Sequence, residues 1–135
     1  MGPEFKPLAG AEGWQISNPP ILQMAALRAS LEIFEEAGMD AIRRKSVKLT
    51  GYLESLVERI GDDRIEVITP RDPDQRGCQL SIRVKTGDKS LYEEISGHGV
   101  YADWREPDVI RVTPVPLYNS FMDVYRFADI LSDCL

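Results

Sequence analysis

The sequence is poor in the residues from which most catalytic and metal centres are built. It has one histidine, His98, and two cysteines, Cys78 and Cys134, among 135 residues. A lone histidine excludes a histidine cluster for a metal, and a nucleophile triad would have to rely on that one residue in a glycine-flanked turn. The cysteines lie far apart with no metal-ligand spacing around them, which predicts free thiols in a reducing compartment, a disulfide between them being the alternative. Asp62, Asp63, Asp72 and Asp74 lack the oxygen-ligand spacing of a calcium loop, and no phosphate-cradling glycine motif follows a strand. Basic charge is also scarce. Lys and Arg number 16 against 22 Asp and Glu, a net charge of -6 that argues against nucleic-acid binding. No apolar run is long enough to span a membrane, and the first residues carry no signal-peptide pattern, so a soluble cytoplasmic protein is expected.

What is present suits one globular domain, with 43% hydrophobic and 28% charged residues. Residues 1–20 differ from the rest in their prolines (Pro3, Pro7, Pro19, Pro20) and glycines, and read as an interdomain arm. Its apolar residues Phe5, Leu8, Trp14 and Ile16 need a surface to pack on. From Ile21 to Ala37 the stripe Met24, Leu27, Leu31, Phe34 predicts a helix, which Gly38 ends or bends. Asp40 to about Ile60 predicts a second, with the basic cluster Arg43, Arg44, Lys45, Lys48 on a solvated face. Strands are expected at Ile65–Ile68 and Cys78–Val84 with an exposed loop, Thr69–Gly77, between them. A helix from Asp88 or Lys89 to Ser96, strands at Val100–Ala102 and Val109–Val112, and a last helix capped by Asn119 or Ser120 complete the chain. The fold class is then α+β: a two-layer sandwich of a small, mainly antiparallel sheet with helices on one face, over residues 21–135.

Two places are suited to an anion. Ser17 and Asn18 stand where a helix cap belongs, before Pro19 and Pro20, and a helix N-terminus offers free N–H groups. In DVIRVTPVPLYNSF (108–121), strand alternation puts Ile110 and Val112 on one side and Val109 and Arg111 on the other. Pro114 and Pro116 stiffen the connection that follows, so Arg111 would be held in place. The bland readings are a cap without ligand and an arginine on a solvated edge or beside a carboxylate. A domain with anion receptors and no acid, base or nucleophile has the look of half a site. No catalytic residue and no metal site is expected within it.

The runs GWQISNPPIL (13–22), LTGYLE (49–54), RGCQLS (76–81) and DWREPDVIRVTPVPLYNSFMDVYRF (103–127) resemble the C-terminal part of the kynureninase family over nearly the whole chain. The resemblance implies a hydrolase of the kynurenine pathway of tryptophan catabolism and NAD biosynthesis. Such an enzyme is a cytoplasmic homodimer that cleaves L-kynurenine to anthranilate and L-alanine with pyridoxal 5'-phosphate. It further implies that a large domain preceding this segment carries the cofactor-bearing lysine, and that the isolated segment is inactive. By the same resemblance Arg111 binds the substrate α-carboxylate, and Asn18, with Ser17 beside it, lies near cofactor and substrate. Thr113 departs from the family's small apolar residue without moving Arg111 out of register. The choice between kynurenine and 3-hydroxykynurenine stays open. So do two rivals: the small domain of a related aminotransferase or cysteine desulfurase, and a free-standing amino-acid-binding regulatory domain.

Overall fold

Gly38 divides the helical half of the chain, because its φ of 75° lies in the left-handed region that a side chain resists. In this computed structural model, which describes residue 4 and residues 6–135, helix α1 (Ile21–Ala37) precedes that glycine and helix α2 (Met39–Ile60) follows it. Then come β1 (Ile65–Val67), β2 (Leu80–Val84), α3 (Ser90–Gly97), β3 (Asp103–Arg105), β4 (Val109–Val112) and α4 (Phe121–Cys134), the order expected. The chain separates into two compact units, Met1–Glu36 and Ala37–Leu135. Gly2, Pro3 and Phe5 of the expected arm lie outside the described residues.

In the first unit a short 3-10 turn, Ala11–Trp14, leads to α1. The helix has the predicted extent and an Arg28–Glu32 pair one turn apart. Yet it buries no residue. Met24, Leu27 and Leu31 are 52–59% exposed, and Leu8, Trp14 and Ile16 are exposed as well. The periodicity that marks the helix therefore marks an apolar stripe without cover among the described residues.

The second unit holds the core. Its four strands run in the order β1-β2-β4-β3, and every pairing is antiparallel. Alternation sends Leu80, Ile82, Val84, Ile110 and Val112 to the inner face, where they meet Leu49, Leu53, Leu56 and Val57 of α2, Leu91 and Ile95 of α3, and Val124, Ala128 and Leu131 of α4. This is the expected two-layer α+β sandwich. Gly61, at φ 65°, ends α2 in the left-handed conformation. Ser120 caps α4 by a reciprocal capping box with Asp123.

Two boundaries differ from expectation for identifiable reasons. The strand expected at Val100–Ala102 lies at Asp103–Arg105, because the Val100 N–H is already bonded to the Ile95 carbonyl (3.2 Å) in closing α3. Strand β2 starts at Leu80 rather than Cys78: the Leu80–Val112 register would set Cys78 opposite Pro114, which has no N–H to extend the ladder. The basic residues of α2 are not simply solvated. Arg43 donates to the Pro73 carbonyl, and Lys45 Nζ donates to the Pro116 carbonyl at 2.6 Å, so the helix clamps two loops. The loop before β2 is likewise tied inward at one point. Arg76 donates to Glu54 at 2.7 Å, with side chains only 6% and 12% exposed, a pair in which loss of either partner would strand a charge.

Leu80 is fully buried at the junction of β2 with the helices. Leu80→Ala should lower unfolding stability by about 2–5 kcal/mol, read as a shift of the urea midpoint at constant slope.

Candidate functional site

The inner face of the sheet is filled by apolar side chains, and the strands carry their charged side chains on the outer face. There β1 presents Glu66, β2 presents Ser81 and Arg83, β4 presents Val109 and Arg111, and β3 presents Asp103 and Arg105, as the registers require. Arg111 sits in a central strand, with Ser81 across from it on one side and Asp103 on the other. The alternation inferred from sequence holds: Ile110 and Val112 are buried, while Val109 and Arg111 are half-buried.

Asp103 organises this face. Its Oδ2 accepts from Arg111 Nε at 2.7 Å and also from Arg111 Nη2. The same oxygen accepts from Arg105 Nε at 3.0 Å. Arg83 lies near Glu66 (3.7 Å) and Asp108 (3.6 Å), pairs long enough to be weak. Arg105, Asp103 and Arg111 together carry one net positive charge. A guanidinium has five N–H donors. One oxygen engaging Nε and Nη2 leaves Nη1 and the outer hydrogen of Nη2, the end-on fork, uncommitted among the described residues.

The connection after β4 fixes where that fork lies. Thr113 to Val115 run on without helix or strand, and a turn follows at Pro116 to Tyr118. The Val115 N–H donates to Asn119 Oδ1 at 2.8 Å, and the Asn119 N–H donates back to the Val115 carbonyl at 2.8 Å. With Lys45 on Pro116 the connection is held from two elements. The rigidity expected from prolines thus comes as much from side-chain hydrogen bonds. Asn119, one of two cap candidates, closes the turn and leaves the cap to Ser120.

In the first unit the cap expected of Ser17 and Asn18 is not formed. Helix α1 starts at Ile21, and the Pro20 carbonyl accepts its first bond, from the Met24 N–H at 3.0 Å. Ser17 and Asn18 stand three and two residues too early, because Pro19 and Pro20 precede the helix instead of forming its first turn. The Ser17 carbonyl accepts from Gln15 Nε2 at 2.8 Å. Both residues are exposed.

A cleft of about 570 Å³ opens on the other side of the sheet, lined among others by His98, Tyr101, Tyr118, Val112 and Arg126. Val112 lines it, so Arg111, its neighbour on the opposite face, does not. Both cysteines are free. Burial pushes the Cys134 thiol up.

The fold and its outer face define a class first. A solved structure described as a NifS-like protein superposes with a TM-score of 0.68 at 21% identity, over 95% of this chain and 37% of that one. The shared fold covers a minority of that longer chain. Sequence comparison is more specific. The profile described as Kynureninase C-terminal domain matches residues 42–131. A kynureninase of Koribacter versatilis (strain Ellin345) is 60% identical over 127 residues, 94% of this chain and 30% of the relative. One of Myxococcus xanthus (strain DK1622) is 56% identical over 97% of this chain and 31% of its own length. The chain belongs to the kynureninase family, and matches its C-terminal domain. It spans about 30% of the length of these relatives. Among the described residues no helix is long and apolar enough to cross a membrane.

The hydrogen bond from Arg111 holds the Asp103 carboxyl below its ordinary range, against desolvation, and Arg64 takes Asp62 from 3.8 to about 2. Both carboxyls have folded values below their unfolded ones, so their stabilising effect is complete above the unfolded value and disappears as pH falls through the folded one. The melting temperature should stay level from neutral pH to about 5 and drop steadily below about 4. Circular dichroism melts across that range check this, and Asp62→Asn should flatten the acid limb.

Proposed function

We propose that this chain is the substrate-anchoring portion of a kynureninase that hydrolyses L-kynurenine to anthranilate and L-alanine. Arg111 is its anchor for the substrate α-carboxylate. The observation that carries the reading is the shared carboxylate: Asp103 serves two guanidiniums, which leaves the Arg111 fork with free donors and the group with one uncompensated positive charge. A planar fork takes a carboxylate in two parallel hydrogen bonds and so orients the rest of the substrate.

In this reading residues 1–20 are an interdomain arm, and the exposed stripe of α1 is a surface for the enzyme's large domain. Its apolar exposure supports that role. Asn18 would contact cofactor and substrate, and Ser17 the substrate. Both side chains are exposed and polar, which suits such contacts. Two of the chain's five lysines are already engaged, Lys45 with the Pro116 carbonyl and Lys89 over the Tyr92 ring, and in this reading the lysine that bears the cofactor belongs to the large domain. When bound, pyridoxal phosphate withdraws electrons from the substrate so that the bond between Cβ and Cγ can break. This chain's share is to bind and orient. Arg111 fixes the carboxylate end, and the hydrogen-bonded loop behind it limits drift of β4. A homodimeric enzyme in the cytoplasm, where the two free thiols would persist, completes the reading.

In full-length kynureninase carrying this segment, Arg111→Ala should lower kcat/KM on the order of 100-fold, mostly through KM. Arg111→Lys keeps charge but loses the fork, and should cost on the order of tenfold. Steady-state anthranilate fluorescence measures both, and an unchanged KM in Arg111→Ala would remove the anchor from Arg111. The isolated 135-residue chain with added pyridoxal phosphate should release no anthranilate, and turnover by it would overturn the division of labour proposed here.

A further inference from the structure

We infer that Asp103 is a positioning residue for the reaction: it sets the plane of the Arg111 guanidinium so that its end-on fork, and not its Nε edge, meets the substrate carboxylate. The inference rests on the anchor reading of Arg111 and adds to it a residue with no direct contact to substrate. The backbone makes the pairing obligatory. The β3–β4 register sets Asp103 directly opposite Arg111, on the same face. Cross-strand neighbours at such positions hold their side chains within reach of each other. Asp103 then engages one edge of the guanidinium through a single oxygen, Oδ2, which accepts from both Nε and Nη2. An arginine with this edge occupied can present only its Nη1–Nη2 end, and its rotation about the last side-chain bonds is arrested.

The opposite neighbour, Ser81, supplies no competing carboxylate. Arg105 does something different. It lies on the same Oδ2 and is the more exposed cation, with 59% of its side chain accessible against 31% for Arg111. By sharing the negative charge of Asp103, Arg105 lets the carboxylate orient Arg111 without cancelling its attraction for an anion. Two effects of removing Asp103 oppose each other. Loss of a negative charge would strengthen carboxylate binding, and loss of orientation would weaken it. The carboxylate is nearly half exposed, so its Coulombic influence is screened, whereas a misplaced fork forfeits hydrogen bonds and alignment at once. Orientation should prevail.

The test uses full-length kynureninase carrying this segment, loaded with pyridoxal phosphate, with cofactor absorbance and melting temperature followed to report folding. Asp103→Ala should raise KM for L-kynurenine about tenfold while kcat changes less than about threefold. Asp103→Asn keeps an acceptor oxygen at the same place, disturbs folding least, and should recover most of the loss. On an Arg111→Ala background Asp103→Ala should have no further effect, because there is no guanidinium left to orient. A KM that is unchanged or lowered in both single variants overturns the inference, as does an Asp103→Ala effect that persists in full without Arg111. Failure of the anchor reading looks different: there Arg111→Ala itself leaves KM unaltered, whatever Asp103 does.

Discussion

Asp103 Oδ2 accepts hydrogen bonds from Arg111 and Arg105 together, and what the outer face of the sheet can bind follows from that sharing. A one-to-one pair would have been neutral, with its donors matched to its acceptors. Two cations on one carboxylate leave charge and N–H groups over, in a position that is half-buried rather than sealed. The arrangement exists only because β3 and β4 pair antiparallel, with Asp103 opposite Arg111 and Arg105 opposite Val109. A slip of one residue would send Arg111 into the apolar layer. Register is therefore the constraint on which the site depends.

Register in turn is set from the other side of the sheet. Ile110 and Val112 are buried among residues from β2, α2 and α4, and any shift of β4 would carry them outward at the expense of buried apolar area. The loop beyond β4 reinforces this. Asn119 bonds to both backbone groups of Val115, and Lys45 reaches the Pro116 carbonyl from α2. Core, loop and site are coupled in that order. The helices do not touch the substrate in the proposed reading, but they decide where Arg111 can stand.

Much of this was legible in the chain. The alternation through Val109–Val112 gave the direction of Arg111, and the helical periodicities gave α1 to α4 in sequence. The partner of Arg111 was not legible. The apolar residues Val100–Ala102 suggested a strand there, yet helix closure engages the Val100 N–H and the strand lies onward at Asp103, a displacement that periodicity over three residues cannot detect. The Glu54–Arg76 pair was hidden for another reason, since 22 positions separate the two and the loop around Arg76 has the composition of solvent-exposed chain. Asn18 shows the limit of local signals. Its residue type and the prolines after it suit a cap, but the helix begins beyond both prolines.

In the proposed reading, a half-exposed arginine is also the better receptor on energetic grounds. Had Arg111 been buried with Asp103, a substrate carboxylate could bind only by being desolvated beside a pair already satisfied, and the desolvation of both ions would rival the attraction gained. Left in open water without a partner, the side chain would gain little from a carboxylate, because two mobile groups must be ordered and the attraction is screened. The observed state lies between these limits. With 31% of its side chain accessible, Arg111 can exchange water for an anion, and Asp103 has already taken the side chain's conformational freedom before any substrate arrives. Prior ordering of this kind moves the entropic cost from binding to folding, where the strands, the loop and α2 meet it through contacts that involve no substrate.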